Sequence, residues 1–377
     1  MKTFLLFDSL GLKNDFILRL VKALADDGLE ARLWYKSGSP LAEYFKEKNW
    51  LQKKCHQPLN SFWLSLILSP ILWLKNLINL LIYKKKFKVE SVVCLGWGAK
   101  FLVTIPAKLA GLKVVWLELP NFDYNDLGTL TLKFYKSLAG LVSLVCFSLT
   151  TKLSLLALGI NEDNIALIWP GIEASEFQSQ SDLFQNIANR QSNLKGKKYF
   201  TLGTVVDFKE PQRIEILMRS VKEAIAIVPN LRLIVIGDGS ARQQAQWLSR
   251  QLNLESAVWL VGSQADLKKW YANFDIFVVA SSMPGLDDFL VVLAAMVNGV
   301  PVIAPKGLSL EDCFLGGQAG ILLSLSDAEE LSATIIKLQQ DQALRKSLSN
   351  NARRVAKDFF SLDRAKEEFK KVLSSNL

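Results

Sequence analysis

One pattern constrains this chain more than any other: short apolar runs alternate with longer amphipathic stretches, stop, and start again. In the first half, residues 3–7, 30–35, 91–95, 113–117, 141–148 and 165–169 predict strands, while 16–25, 99–110, 132–138 and 150–158 carry helical spacing. Residues 174–198 are polar, rich in Gln, Ser and Asn, and end in Lys-Gly-Lys-Lys, which marks a linker. The alternation then resumes. Strands are expected at 199–205, 231–236, 258–261, 276–280 and 300–304, and helices at 213–227, 241–252, 267–271, 289–297, 327–339, 341–358 and 361–373. Strands separated by helices build parallel sheets with right-handed crossovers. The expected fold is α/β, with two doubly wound domains facing across a cleft. The first spans 1–173, the second 199–358, and 359–377 forms a closing helix that can pack back on the first. Ligands of such sheets bind outside the carboxyl ends of the strands.

Cysteine and histidine usage removes several chemistries. The four cysteines, Cys55, Cys94, Cys146 and Cys313, have no paired spacing, which fits a reducing cytoplasm and excludes a cysteine-based zinc site. His56 is the only histidine, so a His-rich metal site is excluded. It lies beside Cys55 in a Lys-rich stretch and reads as a solvated surface residue. The apolar start at residues 4–7 is cut by Asp8, too short for a signal peptide.

The net charge of +9 is concentrated in one place. Residues 46–88 hold nine lysines and a single acid, Glu47. The same stretch contains FWLSLILSPILWLKNLINLLIY, residues 62–83. Its length suits a membrane crossing, but Pro70, Lys75, Asn76 and Asn79 interrupt it. Ser65, Ser69, Asn76, Asn79 and Tyr83 draw one thin polar stripe along a helix. Expected strands lie on both sides of it, and a single crossing would separate two strands of one sheet. The expectation is a helix packed on its domain that touches anionic lipid through Trp63, Trp73, Lys84, Lys85, Lys86 and Lys88. The bland alternative is a buried core helix with a solvated lysine tail. Nucleic acid fits poorly, because no aromatic-interleaved basic face is present.

Residues 284–304, PGLDDFLVVLAAMVNGVPVIA, place two acids before an apolar element. Residues 289–297 read as a buried helix stopped by Asn298-Gly299 and followed by a strand. Asp287 or Asp288 then caps the helix, or the loop before it lines a ligand cleft.

Several segments follow one another in a recognisable order: residues 147–173, RLIVIGDGS at 232–240, AVWLVGSQADLKKWYANFDIFVVASS at 257–282, AAMVNGVPVIA at 294–304, then GGQAGILLS and LQQDQALRKSLSNNAR. In this order they resemble the retaining glycosyltransferases of family 4, with the GT-B fold of two Rossmann-like domains. The resemblance covers roughly residues 147–360; the N-terminal half matches only in outline. It implies a nucleotide-diphosphate sugar between the domains, with no catalytic metal and no cofactor. The departing phosphate would be held by basic side chains and helix-start N–H groups. The implied donor-binding positions are Gly203, Thr204, Arg213, Gly237, Gly262, Ser263, Gly285, Phe289 and Leu290. The implied catalytic positions are Lys209, Asp287, Asp288 and Glu118, with a plain loop or strand-end surface role as the alternative for Glu118. Asp8, Ser9, Gly11 and Asn121 fall on the acceptor side. The implied acceptor is lipid-linked or a cell-envelope glycan, met by a peripheral protein on the cytoplasmic membrane face.

The chain departs from the family at its donor motif. Two glutamates are usual where Leu286 and Ala294 stand, and an arginine where Thr204 stands. Asp287 and Asp288 are the nearest replacements for the first glutamate, and nothing nearby replaces the second. A second reading therefore stands beside the enzyme: a catalytically degenerate relative that binds nucleotide or glycan, or serves as an assembly subunit.

Overall fold

A computed structural model describes residues 3–8, 15–35, 40–47, 52–54, 62–120, 124–173, 199–208, 211–264, 266–280, 286–306, 309–314, 317–324 and 326–374; at 8, 15, 40, 52–54, 62–69, 125, 126, 211, 213, 287 and 309 only the backbone is described. The chain divides into two compact units, one of residues 1–169 with 362–377 and one of residues 170–361.

The first unit is a parallel sheet of seven strands in the order β3-β2-β1-β4-β5-β6-β7. They are β1 (Thr3–Asp8), β2 (Glu30–Tyr35), β3 (Gln52–Lys54), β4 (Val89–Leu95), β5 (Lys113–Glu118), β6 (Ser143–Cys146) and β7 (Ile165–Leu167). The helices are α1 (Asp15–Asp26), α2 (Pro40–Glu47), α3 (Phe62–Phe87), α4 (Trp97–Leu109), α5 (Thr129–Ala139) and α6 (Leu149–Ala157). The sequence pattern does not announce α2 or β3. β3 is three polar residues at a sheet edge, paired with Leu33–Tyr35, and carries no alternation to read. The strand expected at 141–148 is shorter, because Ser148 leaves the sheet to cap α6 and accepts the Thr151 N–H at 3.2 Å.

The last helix, α13 (Leu362–Ser374), belongs to this unit. Leu362, Ala365 and Phe369 form its buried stripe. Lys366 Nζ lies 2.9 Å from Asp27 Oδ2, and Lys370 pairs with the same carboxylate. Hydrogen bonds from Lys370 and Lys366 hold the Asp27 carboxyl below the usual carboxylate range. A depressed carboxyl contributes stability above its ordinary pKa and loses it as pH falls through the lowered value. Acidification below about pH 4 is therefore expected to loosen α13. Hydrogen-exchange protection over residues 362–374 should fall there, and Asp27→Asn should remove that pH dependence.

The second unit is a parallel sheet of six strands in the order β10-β9-β8-β11-β12-β13. They are β8 (Phe200–Val205), β9 (Leu231–Ile236), β10 (Val258–Gly262), β11 (Ile276–Val278), β12 (Val302–Pro305) and β13 (Ile321–Leu323). The helices are α7 (Pro211–Ile225), α8 (Arg242–Gln251), α9 (Lys268–Tyr271), α10 (Leu286–Val297), α11 (Ala328–Gln340) and α12 (Gln342–Phe359). Its core joins Leu202, Leu233, Val235 and Val278 of the sheet to Ile214, Leu217, Met218 and Val221 of α7.

The cysteine reading meets the structure at three positions. Cys94, Cys146 and Cys313 are free and buried. Burial pushes the Cys94 thiol up to about 12 and raises Cys313 as well, so neither offers a thiolate. Cys55 and His56 lie outside the described residues.

Candidate active site

Each sheet has a place where the strand order reverses direction, and there the loops splay apart. In the second unit the chain runs outward from β8 through β9 to β10, then returns to β11 on the other side. The carboxyl ends of β8 and β11 therefore flank the switch point. Three loops are knit together beside it. The Val206 N–H donates to Ile236 O, the Gly237 N–H to Gly262 O and the Ala241 N–H to Phe208 O, each at 2.9 Å. A Cβ on Gly237 would lie 1.7 Å from Val206 O, so only glycine lets these backbones approach. A Cβ on Gly203 would meet the Phe274 ring at 2.2 Å. Both glycines act by close packing, and a ligand role through a side chain is unavailable to them.

Arg242, in the first turn of α8, is a member of this region that the family pattern did not mark. Its Nη1 lies 3.3 Å from Asp238 Oδ2, and its Nη2 donates to Leu260 O at 3.3 Å. It ties the β9–α8 loop to β10, next to Gly262. The only sequence signal for it is the Asp238–Arg242 spacing of four. Ser263 follows Gly262 and is exposed, which leaves its hydroxyl accessible at the carboxyl end of β10.

The residues expected around α10 need correction. The helix begins at Leu286, so Asp287 and Asp288 lie inside its first turn and neither is the N-cap. The cap position falls on Gly285, outside the described residues. The physical cause is the apolar stripe: Leu286, Phe289, Leu290 and Leu293 are buried at i, i+3, i+4 and i+7, and packing Leu286 starts the helix ahead of the acids. First-turn carboxylates still gain from the positive end of the helix. Asp288 is half-buried; of Asp287 only the backbone is described. Phe289 and Leu290 point into the core, so a bound donor could meet them only through their backbone. Thr204 is 0 % exposed and its hydroxyl has no hydrogen-bond partner among the described residues, so its side chain is closed to a donor in this conformation. Lys209 lies outside the described residues, and Arg213 is described by its backbone in the first turn of α7.

In the first unit the order reverses between β1 and β4. Asp8 closes β1; Ser9, Gly11 and Asn121 lie outside the described residues. Glu118 ends β5 and was expected to face a ligand. It is instead 2 % exposed. Its Oε1 lies 2.7 Å from Lys100 Nζ and accepts from the Tyr135 hydroxyl at 2.9 Å, while Oε2 accepts from Tyr124 at 3.2 Å. Burial, and then the Glu118 carboxylate, push both phenols far up, so they stay protonated and donate. Lys100 also lies 5.5 Å over the Trp116 ring. With three donors and no solvent face, Glu118 is half of a structural ion pair rather than a catalytic group. The pattern gave one clue to its partner: Lys100 is a lone charge among the first ten residues of the apolar α4.

Two of the expected lipid contacts also engage the protein itself, Trp73 half-buried and Lys84 still exposed. Trp73 packs on Phe101 with ring centroids 5.9 Å apart. Lys84 Nζ donates to Ala110 O at 2.7 Å and to Gly111 O at 3.1 Å, closing the carbonyl end of α4. Lys85, Lys86 and Lys88 are exposed, and Trp63 is described by its backbone alone.

Against solved structures, a glycosyltransferase from Rickettsia africae ESF-5 superimposes with a TM-score of 0.81 at 16 % identity, covering 100 % of this chain and 99 % of that one. Anabaena Alr3699/HepE, solved in complex with UDP, superimposes at 0.79 with 17 % identity over 100 % of both chains. The fold is GT-B. Within this GT-B chain, residues 185–355 match the family model described as Glycosyl transferases group 1. The match falls on the second unit and includes the switch point, the Gly237–Ser240 loop and α10. Among curated proteins, the lipopolysaccharide core biosynthesis glycosyltransferase LpsE of Rhizobium meliloti is 27 % identical over 153 residues, 41 % of this chain. The chain spans 44 % of that relative's length.

Proposed function

We propose that the protein is a retaining, metal-independent glycosyltransferase of the family 4 type. It moves a hexosyl unit from a nucleotide-diphosphate sugar to a lipid-linked or cell-envelope glycan acceptor at the cytoplasmic face of a membrane, and it uses no cofactor. The observation that carries this reading is the switch point of the second unit. There, three carboxyl-end loops are hydrogen-bonded to one another, inside the segment that matches the group 1 family model and that also contains α10. The N–H groups of a first helical turn favour an anion, and Lys209 is a cation four residues after the end of β8 in sequence. The UDP bound to the Anabaena protein and the lipopolysaccharide role of the Rhizobium relative support the donor and acceptor classes.

A second reading has its own observation. Leu286 and Thr204, at positions where the family carries charged groups, are buried side chains that cannot hold a sugar or a phosphate. A protein of this kind binds nucleotide or glycan without turnover. Melting in the presence of UDP, GDP and their sugars separates the readings. A donor at one hundred times its dissociation constant should add about 2.7 kcal/mol, a rise of several degrees. Absence of any shift at millimolar nucleotide would sink the donor reading. A shift with neither sugar transfer nor sugar release would select the binding subunit.

A further inference from the structure

We infer that the outward face of α3 is a lipid-docking surface that lies in the plane of an anionic bilayer. This rests on the geometry of one helix, and it deepens the membrane part of the reading above without depending on the donor.

The helix presents its faces in an unusual way. Asn76 turns toward the unit, where its Nδ2 donates to Leu102 O at 3.1 Å. Leu80 and Tyr83 are buried, and Tyr83 meets the Trp34 ring at 5.1 Å. The aliphatic residues point the other way: Ile71 is 68 % exposed, Leu74 60 % and Ile78 51 %, and Leu81 and Ile82 are exposed with them. At 100° per residue, these five and the exposed Lys75 and Lys85 fall within about 120° of arc. The stripe runs about 20 Å from Ile71 to Lys85. Scattered exposed leucines need no explanation, but a continuous aliphatic stripe along a helix does.

Charge selects the occupant. No Asp or Glu occurs between residues 48 and 89, and the stripe ends in exposed Lys85 and Lys86. A second copy packed on this face would bury Lys75 and Lys85 with no acid on the helix to receive them, at a large desolvation penalty. An anionic bilayer takes both parts of the face. The aliphatic chains enter the headgroup boundary, and the lysines reach the phosphates along their own methylene stems. Insertion is in-plane, because β3 and β4, on either side of the helix in the chain, belong to one sheet that a single crossing would split across the bilayer.

The test is co-sedimentation of the full chain, without nucleotide, with vesicles of phosphatidylcholine alone or of phosphatidylcholine with about 30 % phosphatidylglycerol. Binding to the anionic vesicles at low salt, weakened by high salt, is the expected result. Lys85→Gln/Lys86→Gln should weaken it about thirtyfold, about fivefold per lysine. Leu74→Ser/Ile78→Ser should weaken it at least tenfold while leaving the melting temperature within about a degree, because both side chains already face solvent. Three results would overturn the proposal: no binding to anionic vesicles at low salt, equal binding by the serine variant, or a vesicle-free dimer in sedimentation that the serine variant dissociates. None of these arms uses the donor, so their failure leaves the nucleotide shift intact, and failure of that shift leaves them intact.

Discussion

Lys100→Met should destabilise the first unit by about 3–5 kcal/mol, the largest single effect expected in this protein. The substitution preserves the length of the stem and removes the cation that faces Glu118 at 2.7 Å. The carboxylate then remains 2 % exposed, with only the Tyr124 and Tyr135 hydroxyls to satisfy it. Breaking one side of a buried pair is costly because the partner charge cannot return to water. One control identifies the cause. Lys100→Met/Glu118→Gln should recover much of the loss, since the second change removes the orphaned charge. Urea unfolding, read on the transition that carries the first unit, measures all three proteins. A loss below about 1 kcal/mol for Lys100→Met would mean that the pair is solvated and the burial assigned to it wrong.

Lys209→Ala should weaken UDP binding by roughly 10- to 150-fold, the effect of losing one charge-assisted phosphate contact worth about 1.5–3 kcal/mol. Two polar side chains of the described residues near the switch point are already accounted for. Arg242 is engaged by Asp238 and by Leu260 O, and Thr204 has no exposed surface. Thr204→Val is the matched control. Its hydroxyl is buried without a partner among the described residues, so exchange for a methyl should leave UDP affinity within about twofold. Titration calorimetry against UDP and UMP adds a second axis. A lysine that grips the diphosphate loses more affinity for UDP than for UMP on truncation. Equal losses, or none, would remove Lys209 from the phosphate site.

The contrast between these residues shows how much of the candidate site was legible beforehand. Strand and helix segments were readable because periods of two and 3.6 survive in one dimension. The strand at 30–35 and the strand at 231–236 appear with the bounds the pattern predicts. Glu118 was not legible. It ends a strand, where ligand contacts are common, and only the fold brings Lys100, Tyr124 and Tyr135 around it. Asp287 and Asp288 look like a cap because acids precede an apolar run. The helix starts earlier because Leu286 packs, and burial outweighs the roughly 1 kcal/mol that a cap provides.

The order of residues alone determined that this chain makes two parallel sheets with flanking helices, because alternation of apolar runs leaves no other economical way to bury them. It also determined that α3 would be a helix with one thin polar stripe. Which side of that helix faces the protein was decided only by tertiary packing. The Leu102 carbonyl receives Asn76, the carbonyl end of α4 receives Lys84, and Trp34 receives Tyr83, so the partly polar side turns inward and the aliphatic side faces out. Periodicity defines the faces of a helix, but the partners that make one face the inner one come from residues distant in the chain.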